Sequence, residues 1–120
     1  MLLGDFFEIE TQTTAETTID SQIALNVNHP IYEGHFPQQP VVPGVCMMQL
    51  MAELTSEALG RKVQLKKAHQ AKFLVPIVPQ NAPKLMVNIK YVEQEAGSLK
   101  ITGAIKDEKV TFFKFKGLFA

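Results

Sequence analysis

Cysteine is nearly absent from this 120-residue chain. The single one, Cys46, cannot form an intrachain disulfide and cannot build a zinc site alone. No excess of either charge is present, since twelve Lys/Arg balance twelve Asp/Glu. That excludes a surface built for nucleic acid by bulk charge and leaves room only for a local basic patch. No apolar run approaches the ~18–20 residues that a membrane-spanning helix needs. The first ten residues, MLLGDFFEIE, hold Asp5, Glu8 and Glu10 where a secretory leader carries lysine or arginine. Repeats and low-complexity tracts are missing too. Apolar residues make up 46% and charged residues 20%, the composition of an ordinary globular protein. The expectation is a cytoplasmic globular chain. At this size it buries only about two-thirds of its surface, so association with a second copy is expected to hide more.

What is present is unevenly placed. Residues 28–43, NHPIYEGHFPQQPVVP, hold four of the seven prolines. Proline removes a backbone donor and restricts its neighbour, which predicts an ordered loop rather than a strand or helix. Upstream, Ile19, Ser21, Ile23, Leu25 and Val27 alternate with polar or small neighbours, the period-two pattern of a strand with one buried face. Residues 4–14 are expected to form another strand. Downstream, Pro43 and Gly60 bracket a helix over Gly44–Leu59. Its first half is apolar on nearly every side, which predicts a buried helix. Only Gln49 and Glu53 interrupt it before residue 55, and at a spacing of four they share one face.

The C-terminal half reads as strands: residues 63–73, 85–91, 99–105 and 110–119, the last with Phe113, Phe115 and Phe119 on one face. Short turns at 95–98 and 106–109 predict an antiparallel meander. The fold class is α+β, with a curved sheet around one long helix.

The segment from Gly34 to Val45, GHFPQQPVVPGV, resembles the signature of the 3-hydroxyacyl-[acyl-carrier-protein] dehydratases of the FabZ and FabA type. Lys72–Pro79, KFLVPIVP, resembles that family's stretch after its helix. The resemblance covers about residues 17–120. It implies a single hot-dog domain over 1–120, a long central helix wrapped by an antiparallel sheet, and a homodimer or an oligomer of dimers. It also implies a hydro-lyase that removes water from a 3-hydroxyacyl thioester, in fatty acid or related lipid or polyene synthesis. The partner is an acyl carrier protein or coenzyme A thioester. No cofactor, metal, nucleic acid or membrane span is implied.

Carried over by position, His35 is the base that takes the C2 proton, a task suited to a group titrating near neutral pH. The Gly44 backbone amide polarises the thioester carbonyl at a helix N-terminus. Phe36, Pro43, Val45, Met48 and Phe73 are the candidates for substrate contact. The family's helix carboxylate falls on Gln49, which can hydrogen-bond a hydroxyl but cannot donate and recover a proton as a carboxyl group does. Glu53, one turn on, is the fallback acid. Two rivals therefore stay open: a degenerate acyl-thioester-binding or partner subunit, and a hot-dog thioesterase with Glu53 activating water.

Other residues are read more plainly. Cys46, among methionines on a buried helix, is a small apolar filler. Met47, Met48 and Met51 are core, and their flexibility would suit an acyl tunnel. His29 belongs to a surface loop and His69 stands alone on a strand, so neither suggests a metal site. Arg61, Lys62, Lys66, Lys67 and Lys72 form the one local basic concentration. They are either a solvated strand edge or a docking patch for an acidic carrier protein.

Overall fold

A computed structural model describes residues 1–33 and 40–120. Six strands form one antiparallel sheet: β1 (Phe7–Thr14), β2 (Thr18–Leu25), β3 (Leu65–Phe73), β4 (Lys84–Glu93), β5 (Leu99–Lys106) and β6 (Thr111–Phe119). Their order across the sheet is β1-β2-β4-β5-β6-β3. The meander expected from the short turns is β4-β5-β6. At its second turn Asp107 Oδ1 accepts the Lys109 and Val110 N–H groups at 2.8 and 2.9 Å. The Val110 and Lys109 amides hold that carboxyl below the usual carboxylate range.

The long helix α1 spans Gly44–Leu59 and ends at Gly60, whose left-handed φ of 67° suits glycine. It lies against one face of the sheet, giving the hot-dog architecture. Period-two alternation sends Ile19, Ile23, Leu85, Val87, Ile89, Leu99, Ile101 and Ile105 into the core. The β6 phenylalanines Phe113, Phe115 and Phe119 are buried beside them, with successive ring centroids 6.2 and 5.8 Å apart. From the helix come Cys46, Met47, Leu50, Met51 and Leu54.

Three sequence expectations need correction. The first strand starts at Phe7, not Gly4, because residues 2–6 close a turn in which the Asp5 and Phe6 N–H groups reach the Leu2 carbonyl. The proline-rich segment contains a 3-10 turn, Pro30–Glu33. Its entry is set by His29, whose Nδ1 accepts the Ile31 N–H at 3.1 Å. Third, α1 is not buried all round. Val45 is 69% exposed, and Gln49 and Glu57 are exposed too. These positions turn away from the sheet, and among the described residues nothing packs over them.

The edge strand β3 lies close against β6 at Gly117. A Cβ built at Gly117 would lie 2.4 Å from the Lys67 carbonyl oxygen and 2.5 Å from the Phe115 ring. Relieving that clash means moving backbone. Gly117→Ala is therefore expected to destabilise the protein by about 1–3 kcal/mol, read as a lowered denaturant midpoint with an unchanged slope.

Candidate active site

The site begins where the chain enters α1. Pro43 precedes the helix in an extended conformation, and its carbonyl accepts the Cys46 and Met47 N–H groups at 3.0 and 3.3 Å. The N–H groups of Gly44 and Val45 have no backbone acceptor among the described residues. Two free donors at the positive end of a sixteen-residue helix suit an oxygen that gains negative charge. Residue 44 must be small. A Cβ there would lie 2.8 Å from both Cε1 and Cζ of Phe73. The Phe73 ring, from the end of β3, stacks on Phe113 at 4.9 Å yet remains 55% exposed. Helix start and edge strand thus meet at an aromatic surface. Pro43 and Met48 beside it are half-buried. His35 and Phe36 lie outside the described residues.

Gln49 and Glu53 meet as their spacing required. The Gln49 side-chain amide donates to Glu53 Oε2 at 2.7 Å. Glu53 is the one buried charged side chain among the described residues. Its partners explain how it is tolerated. The Leu2 N–H lies 2.9 Å from both carboxylate oxygens, and the Leu3 N–H donates to Oε1 at 2.7 Å. Three donor groups satisfy a buried anion that would otherwise be costly. Glu53 therefore fastens the N-terminal segment across the helix. An open groove of about 710 Å³ runs beside the pair, lined also by Met1, Ser56, Arg61 and Leu65. In this arrangement the Glu53 carboxylate is occupied by backbone, and Gln49 keeps its side-chain oxygen for another donor.

The remaining titratable groups take quieter places. Burial, then the nearby Glu53 charge, pushes the Cys46 thiol up, which keeps it from acting as a thiolate. Burial pushes the Tyr32 hydroxyl well up, with Cys46 adding to it. That hydroxyl has no hydrogen-bond partner among the described residues. His29 is not a surface side chain: its ring packs edge-on to Phe6 at 5.4 Å, and Nε2 donates to Asp5 Oδ2 at 3.0 Å. His69 is exposed on β3, where the pairing with β6 slips. Arg61, Lys62, Lys66, Lys67 and Lys72 are all exposed along or before the edge strand. Sequence reasoning did not find the Leu2 and Leu3 amides. Backbone donors have no side-chain signature; a glutamate inside an apolar helix was the one available signal.

The chain belongs to the ApeI-like family: the family model described as ApeI dehydratase matches residues 11–114. It is a FabZ-like dehydratase family member. It is 34% identical over 89 residues to the 3-hydroxyacyl-[acyl-carrier-protein] dehydratase FabZ of Clostridium acetobutylicum, covering 68% of this chain and 63% of that protein. It is 31% identical over 88 residues to the FabZ of Tolumonas auensis, covering 66% of this chain and 57% of that protein. The matched stretch thus spans about six-tenths of each relative's length. The fold is similar to a chain of the dehydratase heterocomplex ApeI:P from Xenorhabdus doucetiae. That similarity has a TM-score of 0.75 at 21% identity and covers 92% of this chain and 95% of that one.

The Glu53 tether predicts a measurable cost. Glu53→Ala leaves the Leu2 and Leu3 amides without their acceptor, and hydrogen bonds to a charged group contribute about 1.5–3 kcal/mol each way they are lost. The expected result is a stability loss of about that size, with both amides losing protection from hydrogen exchange while the core of β5 and β6 keeps its own. Unchanged stability and unprotected amides in the unmutated protein would remove the tether from the account.

Proposed function

We propose that this chain is a FabZ-like hydro-lyase that removes water from a 3-hydroxyacyl thioester, carried on an acyl carrier protein or on coenzyme A. The observation that carries the reading is the helix start, where the Gly44 and Val45 N–H groups have no backbone acceptor among the described residues and the exposed Phe73 ring lies against Gly44. In the sequence, the Gly34-His35-Phe36-Pro37 motif precedes that helix start by a few residues. In this mechanism the thioester oxygen takes hydrogen bonds from the helix start, which favours the enolate as it forms. His35 takes the C2 proton. The C3–O bond then breaks, the C2–C3 double bond forms, and the hydroxyl leaves as water with a proton returned by His35. Gln49 orients the C3 hydroxyl without supplying that proton. Phe36, Pro43, Val45, Met48 and Phe73 line the acyl path.

The same reading includes a homodimer. β3 is an edge strand whose side chains are nearly all exposed, Leu65 and Phe73 among them, and Val45, Gln49 and Glu57 of α1 are exposed among the described residues. An unpaired edge beside uncovered apolar surface is what a second copy conceals. One solved chain of similar fold is part of a dehydratase heterocomplex, which supports a paralogue as the other candidate for that place. The second functional reading, an acyl-binding or partner subunit, draws on the same residue as before. Gln49 stands at the acid position, and the nearest carboxylate already serves backbone amides.

Gln49→Glu separates the two. The introduced carboxyl would sit beside Glu53, and a neighbouring negative charge favours its protonated form. A carboxyl group at that position can act as the acid. For a dehydratase, turnover is expected to rise by about 10²–10⁴, and His35→Ala is expected to abolish it. A Gln49→Glu protein that folds and associates normally yet gains nothing on any 3-hydroxyacyl thioester would favour the binding subunit.

A further inference from the structure

The balanced net charge hides a division. Residues 1–60 contain eight of the twelve carboxylates and no lysine or arginine; every basic residue lies from Arg61 onward. Folding then sorts these charges by strand. Strands β3, β5 and β6 are neighbours and carry seven lysines and no carboxylate. Alternation with the buried phenylalanines turns Lys114 and Lys116 of β6 to the sheet face away from α1. Lys72 of β3 lies directly across from Lys114. Like charges placed opposite each other on neighbouring strands destabilise a sheet. None of Lys72, Lys90, Lys114 and Lys116 has a carboxylate within ion-pair distance among the described residues.

Three of them, Lys90, Lys114 and Lys116, line a depression. In β5 the pairing sets Ala104 beside Lys114, and Thr102 beside Lys116 on one side and Lys90 on the other. Small side chains between long ones leave a cleft of about 410 Å³ over Gly103 and Ala104, bordered by the backbone of Ile89 and Phe115, whose side chains are buried on the α1 face. Asp20 is the single carboxylate lining it, and it accepts the Asn88 side-chain amide at 2.6 Å at the β2 end.

We propose that this outer cleft is a docking surface for an acidic, partly apolar segment of a partner protein, with an apolar side chain seated over Gly103 and Ala104 and carboxylates on Lys90, Lys114 and Lys116. Charge complementarity selects an acidic partner. The small, uncharged middle of the cleft favours a peptide with an apolar side chain over a nucleic-acid backbone, which presents charged phosphates to its partner. A membrane is disfavoured because, among the described residues, none of the exposed large hydrophobic side chains lies at the cleft to anchor in lipid. The surface lies on the opposite side of the sheet from Gln49 and Glu53 and stands apart from the proposed thioester site.

A fluorescein-labelled peptide of Glu-Glu-Leu repeats, followed by anisotropy, tests this. The unmutated protein is expected to bind it, with affinity falling as salt rises from about 0.05 to about 0.5 M. Lys114→Glu with Lys116→Glu is expected to weaken binding at least about tenfold. Lys114→Gln with Lys116→Gln is expected to weaken binding too and to leave stability unchanged or raised, since it relieves the contact with Lys72. Binding that survives both pairs of substitutions, or no peptide binding at all, overturns the proposal. So do equal binding of a Gln-Gln-Leu peptide, tighter binding of phosphatidylserine vesicles or duplex DNA, and salt-sensitive self-association in place of peptide binding.

Discussion

Met51 rests so closely on Gly103 that a Cβ there would lie 3.1 Å from its sulfur and from its methyl group. That contact fixes how near α1 comes to the middle of the sheet. Large buried residues on both sides, Leu50 and Leu54 from the helix and Phe113, Phe115 and Phe119 from β6, fill the space around it. Burying side chains of this kind stabilises by about 1.5–3 kcal/mol each. The seating also determines what cannot be buried. Once one face of α1 is committed to the sheet, Val45, Gln49 and Glu57 turn outward.

The outward stripe is where chemistry becomes possible. Glu53 lies at its margin and is kept there by amides from the start of the chain, so the N-terminal segment partly roofs the helix. Gln49 is held by Glu53 in turn. The helix start is held differently, by the Phe73 ring lying over a residue that has no side chain. One end of the stripe thus offers backbone donors against an aromatic wall, and the other a carboxylate already satisfied. An oxygen seeking hydrogen bonds finds partners at the first end.

The parts of this arrangement that sequence makes legible are those written in side chains. Pro43 and Gly60 marked both ends of α1, because one fits a helix entry and the other a left-handed exit. The alternation in β2, β4, β5 and β6 marked their buried faces. The strand starts at Phe7 and Leu65 were set by turns and pairings that side-chain patterns do not encode. All-round apolarity suggested a helix covered on every side, but it reports only what should be hidden, not what hides it. In the site, the Gln49–Glu53 contact followed from a spacing of four. The amides that hold Glu53 did not, since a tight turn at residues 2–6 brings them there. The lysine face was countable by halves of the chain and cancelled in the total.

The reading of the site as a dehydratase centre rests on Gly44 offering amides to a thioester and on His35 taking a proton, with Gln49 lacking the means to give one. Its most direct test is the conversion of a 3-hydroxyacyl carrier-protein thioester by the purified, unmutated protein, followed by mass. The account predicts slow formation of a product lighter by one water, with the thioester intact. An unchanged substrate that stays bound, or release of the free acid in its place, would contradict it.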